Sequence, residues 1–171
     1  TNSTTGCVNN MTGSAIISIN PLPTAFAVTG GGSYCSGGTG VAIGLANSTS
    51  GVSYQLMLAG SPSGSAVSGT GGAISFGLRT SAGTYTVIAT NTTTTCTNTM
   101  TGSATVTVNP LPAAIVPSSS PLCVGNSVTL FDATSGGTWN TGSSNVSLAS
   151  NVVTGLSAGT AIITYTLSTG C

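Results

Sequence analysis

Apolar residues alternate with small or polar residues in short stretches along the chain. Val41, Ile43 and Leu45 are separated by Ala and Gly, and the stretches 85–89 and 128–130 repeat the pattern. Clusters of Gly, Ser and Asn separate these stretches. A period of two residues is that of a half-buried β-strand, and no stretch shows the 3.6-residue period of an amphipathic helix. The pattern therefore predicts an all-β fold.

The predicted strands fall into two groups with frequent turn signals between the strands. The first group is expected at 25–28, 41–46, 52–58, 73–78, 84–90 and 103–108, with a candidate short strand at 66–67. The second group is expected at 114–116, 127–131, 138–140, 146–148, 152–153 and 160–167. Many short strands in so few residues are typical of two-sheet Greek-key sandwiches. The glycines at 30–32 are expected to form a turn.

A repeated segment divides the chain. The residues from Cys7 to Pro23 recur as Cys96 to Pro112, an offset of 96 − 7 = 89 positions without a gap. Each copy consists of a cysteine, a polar turn, an alternating strand and a Pro-Leu-Pro boundary, and such repeats indicate tandem modules. We expect residues 1–20 to be the terminal strand of a preceding unit, residues 21–109 a complete sandwich, and residues 110–171 a sandwich that lacks its last strand.

The surplus strand at the start and the missing strand at the end are the same element of the repeat. The candidate donor strand comprises Ala15, Ile16, Ile17, Ser18 and Ile19. Two interpretations remain open. The chain is either a section of a longer tandem array, or a subunit whose first strand completes the open sandwich of the next copy, as in donor-strand polymers. Both interpretations predict strand sharing between units and a continuous fibre of sandwiches.

The charge inventory removes several functional classes. Arg79 and Asp132 are the only charged side chains, and the chain has no histidine. The chain therefore has almost none of the side chains that form general acid and base pairs or carboxylate and imidazole metal sites. We expect no enzymatic activity, no cofactor and no metal. Without a basic patch, we expect no binding to nucleic acid. A net charge near zero leaves copies without mutual repulsion and favours self-association.

The five cysteines and the absence of metal-ligand spacing indicate disulfides and an oxidising compartment. We expect bonds between Cys35 and Cys96 and between Cys123 and Cys171, and a partner for Cys7 in the preceding unit or in a neighbouring subunit. No signal peptide and no long apolar run is present, so we expect mature exported material that does not insert into a membrane. The expected location is extracellular or at the cell surface.

Short motifs recur along the chain, namely the Cys-x-Gly frames at Cys35 and Cys123, the run 82–87 and the Val-Asn-Pro-Leu-Pro end of the repeat. These motifs resemble the tandem immunoglobulin-like repeats of very large surface proteins secreted by Bacteroidota. The segment 153–165 is similar to the group 2 bacterial immunoglobulin-like domain. The resemblance covers nearly the whole chain. It implies immunoglobulin-like sandwiches, export by the type IX route, and roles in surface filaments, adhesion or gliding.

These features favour a structural segment or subunit of an extracellular filament or stalk, with other copies of itself as the partner. The alternative is a cell-surface adhesin whose repeats bind glycans or surfaces. For that alternative, Trp139 is the clearest candidate, because an exposed indole can stack on a sugar ring. The other interpretation of Trp139 is a core residue close to the disulfide.

Overall fold

A computed structural model of the 171-residue chain describes residues 3–8, 13–117 and 121–171. All regular secondary structure in these residues is β-strand, which confirms the all-β prediction. The described residues include no helix long and apolar enough to cross a bilayer. The strands form two groups that pair only within themselves, and we call them the first and second sheet pairs.

The first sheet pair contains ten strands. They are β1 (Val28–Gly30), β2 (Gly32–Cys35), β3 (Val41–Leu45), β4 (Val52–Leu58), β5 (Ser61–Pro62), β6 (Val67–Ser68), β7 (Ile74–Arg79), β8 (Gly83–Asn91), β9 (Thr97–Thr99) and β10 (Ala104–Asn109). One sheet has the order β1-β3-β7. The other has the order β2-β10-β8-β4-β5, with β6 on β4 and β9 on β8.

Most of the strands predicted for this region are confirmed to within two residues. The prediction at 25–28 overlaps β1 at Val28 alone, and Ala27 forms only an isolated bridge with Thr101. The predictions omitted β2, β5 and β9. These strands are two to four residues long, and they lack the apolar alternation on which the predictions depend.

The glycines at 30–32 carry the chain from one sheet to the other. Gly30 ends β1 and Gly32 begins β2, so the expected turn is a switch between the two sheets. A Cβ atom on Gly30 would lie 2.1 Å from the Ala42 carbonyl oxygen, and one on Gly31 would lie 2.7 Å from the Thr105 carbonyl oxygen. Both glycines have positive φ angles, which also favour glycine. The switch therefore passes too close to both sheets for any side chain.

The core of the first sheet pair lies between its two sheets. In β8, the buried Tyr85, Val87 and Ala89 alternate with more exposed residues, as the period of two predicts. The buried cluster as a whole comprises Ile43, Leu45, Val52, Tyr54, Leu56, Ile74, Phe76, Tyr85, Val87, Ala89, Met100, Ala104 and Val106. The Tyr85 hydroxyl donates a hydrogen bond to the Ser81 carbonyl oxygen at 2.9 Å, so its polar end is satisfied.

The last strand of the first sheet pair, β10, completes its sheet. It pairs antiparallel with the beginning of β8, where Ala104 lies opposite Tyr85 and Val106 lies opposite Gly83. On its other side it pairs parallel with β2, which ends with Asn109 opposite Cys35. Ala104 and Val106 are each 2% exposed. β10 therefore provides backbone pairing to two neighbouring strands, β2 and β8, and contributes two side chains to the core.

The second sheet pair is smaller. Its strands are β11 (Ser127–Thr129), β12 (Gly137–Thr141), β13 (Val146–Ala149), β14 (Val152–Gly155) and β15 (Ile163–Leu167). They form a sheet of order β11-β14-β13 and a two-stranded sheet of β12 and β15. The prediction at 114–116 is represented only by an isolated bridge between Val116 and Phe131. Leu130 and Val153 are its only buried apolar residues among those described.

Replacing a core leucine should destabilise the first sheet pair far more than replacing a surface leucine. Leu56 is fully buried in β4, whereas Leu78 in β7 is largely exposed. We expect Leu56→Ala to lower the free energy of unfolding by about 2–5 kcal/mol because it leaves a cavity. Leu78→Ala should change it by about 0.5 kcal/mol or less. Urea denaturation of both variants tests this, and equal losses would contradict the assignment of the core.

Candidate strand-binding groove

The two sheet pairs share a structural plan around β8 and β15. A Ser-Ala-Gly-Thr sequence occurs at 81–84, where β8 begins, and at 157–160, shortly before β15, an offset of 157 − 81 = 76 positions. Asn91 and Leu167 lie at the same offset, and each donates its amide to the carbonyl oxygen of the cysteine that follows its strand, Cys96 and Cys171. Residues 83–91 therefore correspond to residues 159–167.

The beginning of β8 has a neighbour that its counterpart lacks. Residues 83–85 pair with β10, whereas residues 159–161 lie outside any strand and β15 begins only at Ile163. This explains why the strand predicted at 160–167 is shorter in the structure. β15 pairs with β12 on one side, and no described strand pairs with its other edge.

The strand beside β10 also has a counterpart without a partner. The Cys-x-Gly frames align Cys35, the last residue of β2, with Cys123. The residues 121–123 lie outside any strand. The second sheet pair thus has two segments without a strand partner, 121–123 and 159–162, at the positions that flank β10 in the first sheet pair. Single hydrogen bonds do reach the second segment, since the Asn145 side-chain amide donates to the Thr160 carbonyl oxygen and the Ile162 amide donates to the Ser143 hydroxyl. A sheet edge without a strand partner can accept another strand.

An open cavity of about 400 Å³ lies between the sheets next to these segments. Ala161 corresponds to Tyr85, whose ring fills the core of the first sheet pair, so the second sheet pair lacks that volume. The apolar side chains that line the cavity include Ile115, Leu122, Val128, Leu130, Val153 and Ile163. Gly159, Thr160 and Ala161 line it as well. We call the cavity and the two unpaired segments the groove.

The predicted donor strand lies outside both sheet pairs. Residues 13–22 belong to no strand and are exposed, including Ala15 and Ser18. Ile16, Ile17 and Ile19 are 91%, 85% and 93% exposed. In β10, by contrast, the repeat counterparts of Ala15 and Ile17 are Ala104 and Val106, and both are buried. The predicted strand is therefore not formed within the single chain, and residues 9–12 of the predicted terminal segment lie outside the described residues.

The structure corrects both predicted disulfides. Cys35 is bonded to Cys171, with 5.5 Å between their Cα atoms, and Cys7, Cys96 and Cys123 are free. Cys35 lies beside Asn109, near the beginning of β8, whereas Cys96 follows the end of β8. The nine residues of β8 extend roughly 27 Å, so Cys35 and Cys96 lie at opposite ends of the sheet. Because each cysteine forms one disulfide, Cys171 is also excluded as the partner of Cys123.

Trp139 packs against another aromatic ring. Its ring centroid lies 4.7 Å from that of Tyr165 on the paired strand β15. The Tyr165 hydroxyl donates to the Thr134 carbonyl oxygen and accepts from the Gly137 amide. Trp139 is half-buried, so part of its surface already contributes to packing between β12 and β15. These contacts are those of a structural residue and give no separate support for a sugar platform.

Comparison with protein-family models and with curated protein sequences finds no match to this chain.

The monomeric chain should contain one disulfide and three reactive thiols. Treating denatured, unreduced monomer with iodoacetamide should add three carbamidomethyl groups, at Cys7, Cys96 and Cys123. Cys35 and Cys171 should react only after reduction. Mass spectrometry of chymotryptic peptides locates the labels. Recovery of a Cys35–Cys96 or a Cys123–Cys171 peptide would contradict the bond found in the structure.

Proposed function

We propose that this protein is a structural subunit of an extracellular filament built from tandem immunoglobulin-like Greek-key sandwiches. In this proposal, residues 15–20 of one copy occupy the groove of the next copy. The observation that supports it most strongly is a match between two places in the same chain. β10 occupies the corresponding site in the first sheet pair, and the exposed segment 15–20 is the repeat counterpart of β10.

The sequence equivalence sets the register of the inserted strand. Ala15 would lie opposite Ala161 and Ile17 opposite Gly159, as Ala104 and Val106 lie opposite Tyr85 and Gly83. Ala15 and Ile17 would then face the cavity, and Ile16 and Ser18 would face outward, because side chains alternate along a strand. The inserted backbone would pair with both unpaired segments of the groove.

The side-chain volumes at this interface complement each other. Where the first sheet pair has Tyr85, the groove has Ala161, which leaves space. Where β10 has Val106 and Val108, the donor has the larger Ile17 and Ile19. Burying an exposed isoleucine contributes about 1.5–3 kcal/mol, so the donor has a substantial reason to enter a cavity that aliphatic side chains line in part.

Chain connectivity argues for a second copy as the occupant. In the proposed register, Asn20 lies beside Cys123, as Asn109 lies beside Cys35. Pro23 is buried, and its carbonyl oxygen accepts a hydrogen bond from Asn98 at the end of the first sheet pair opposite Cys35. The three residues from Asn20 to Pro23 span at most about 11 Å. This is much less than the length of β8, which separates the Pro23 end of the first sheet pair from the Cys35 end. The described strands of the two sheet pairs also make no extensive contact. The same chain therefore cannot fill its own groove.

A head-to-tail contact of this kind does not close on itself, so it generates open filaments. The near-zero net charge is compatible with such assembly. The disulfide suits an oxidising extracellular location. A polypeptide far heavier than 16.3 kDa under reducing, denaturing conditions would instead favour the continuous tandem array.

A polar residue on the inward face of the donor should weaken assembly. We expect Ile17→Asn to raise the protein concentration required for filaments by about tenfold or more, because it replaces a buried aliphatic side chain with an amide. The matched control is Ile16→Asn, whose side chain would face outward. Sedimentation and negative-stain electron microscopy measure filament formation. Equal assembly of Ile17→Asn and the parent would contradict the proposal.

Engineered cysteines should test the register. Thr84 and Thr105 are outward-facing neighbours with their hydroxyl oxygens 3.5 Å apart, and their counterparts are Thr160 and Ile16. A mixture of Thr160→Cys and Ile16→Cys chains should form a 16–160 disulfide between copies, identified by peptide mass spectrometry. The control pair, Thr160→Cys with Ser18→Cys, is two residues out of register and should cross-link far less. Equal yields from both pairs would exclude this register.

A further inference from the structure

The bond between Cys35 and Cys171 crosses the junction between the two sheet pairs. Cys35 ends β2 beside Asn109, where the chain leaves the first sheet pair through the sequence Asn-Pro-Leu-Pro at 109–112. Cys171 lies in the turn that follows β15. Within one chain, the bond therefore joins the exit end of the first sheet pair to the turn after β15 of the second sheet pair.

The two free cysteines Cys96 and Cys123 are the structural counterparts of this bonded pair. Cys35 and Cys123 each accept a hydrogen bond at the carbonyl oxygen from the amide three residues later, Gly38 and Asn126. Cys96 and Cys171 each accept one from the last residue of the preceding strand, Asn91 and Leu167. Among these four cysteines, one of each kind is therefore free.

The proposed filament contains a second junction with the same linker. When residues 15–20 of one copy fill the groove of another, the sequence Asn-Pro-Leu-Pro at 20–23 leads from the completed sandwich into the next first sheet pair. The hydrogen bond from Asn98 to Pro23 holds the segment after Cys96 against the end of this linker. The same linker and the same two cysteine positions thus recur at the junction between copies.

We propose that Cys123 of one copy forms a disulfide with Cys96 of the next copy, which makes the filament covalently continuous. This inference rests on the proposed function, because donor-strand insertion brings the two thiols together. Both thiols are free in the single chain, Cys123 exposed and Cys96 half-buried.

The place of Cys7, the third free cysteine, is different. It is the repeat counterpart of Cys96, but in the completed sandwich that position is already held by Cys171, bonded to Cys35. Cys7 therefore stays a thiol.

The chemistry is thiol–disulfide exchange with a disulfide oxidant. The Cys96 and Cys123 thiols form the new S–S bond and give up two electrons and two protons, and the oxidant is reduced to two thiols. Oxidised glutathione serves as the oxidant in the test, mixed with reduced glutathione so that incorrect bonds can exchange.

The test assembles filaments in this glutathione mixture and separates them on a denaturing gel without reductant. The parent should give a ladder of multiples of the 16.3 kDa chain that collapses to monomer on reduction. Cys123→Ser and Cys96→Ser should abolish the ladder but still give filaments in the electron microscope, because the donor strand remains. The matched control Cys7→Ser should keep the ladder. Trypsin cannot map the bond because Arg79 is the only cleavage site, so chymotryptic peptides should show Cys96 joined to Cys123.

Three outcomes would overturn the inference, and the first two are distinguishable from the third. Filaments with alkylatable Cys96 and Cys123, or a ladder lost in Cys7→Ser but kept in Cys96→Ser, would refute the bond and leave the donor-strand filament intact. Absence of filaments from the parent and from every variant would refute the filament and the bond together.

Discussion

Backbone pairing at the edge of one strand governs this structure. A strand in a sheet needs partners for its N–H and C=O groups, and an edge left open recruits another strand. The beginning of β8 has that partner in β10. This part of β8 is regular strand, and Tyr85 and Val87 are buried there. The corresponding residues 159–161 have no strand partner among the described residues, lie outside any strand and border a cavity. The open sheet pair therefore differs from the well-packed one in two related ways, the lack of this neighbouring strand and the smaller Ala161 in place of Tyr85.

The same element explains the exposed segment near the start of the chain. Residues 15–20 carry the alternation of β10 with larger aliphatic side chains, but they are exposed in the described part of the chain. The Pro-Leu-Pro sequences after both segments lack two amide donors and restrict φ, so each junction has limited freedom. We infer that one junction geometry recurs along the filament, within a chain through residues 109–112 and between chains through residues 20–23. A disulfide spans the first kind of junction in the structure.

The sequence predicted the positions of most long strands, because β4, β7, β8 and β10 alternate buried and exposed residues with a period of two. The repeat at 89 positions is also visible without a structure, and it relates residues 15–20 to β10. The short strand β2 was missed, because Gly32–Cys35 pairs through its backbone and carries no apolar signal. The two predicted disulfides were wrong because the prediction paired cysteines within each unit, whereas Cys35 bonds to Cys171 across the junction between the sheet pairs. The groove edge at 159–161 could have been found from the shared Ser-Ala-Gly-Thr sequence.

A density map of the native assembly, at a resolution that traces the backbone, tests the central claim most directly. The account predicts a strand from residues 15–20 of another copy between segments 121–123 and 159–162, antiparallel to the latter, with Ile17 inside the cavity. A map in which the groove is empty, or is filled by the chain's own residues while residues 15–20 remain in solvent, would contradict it.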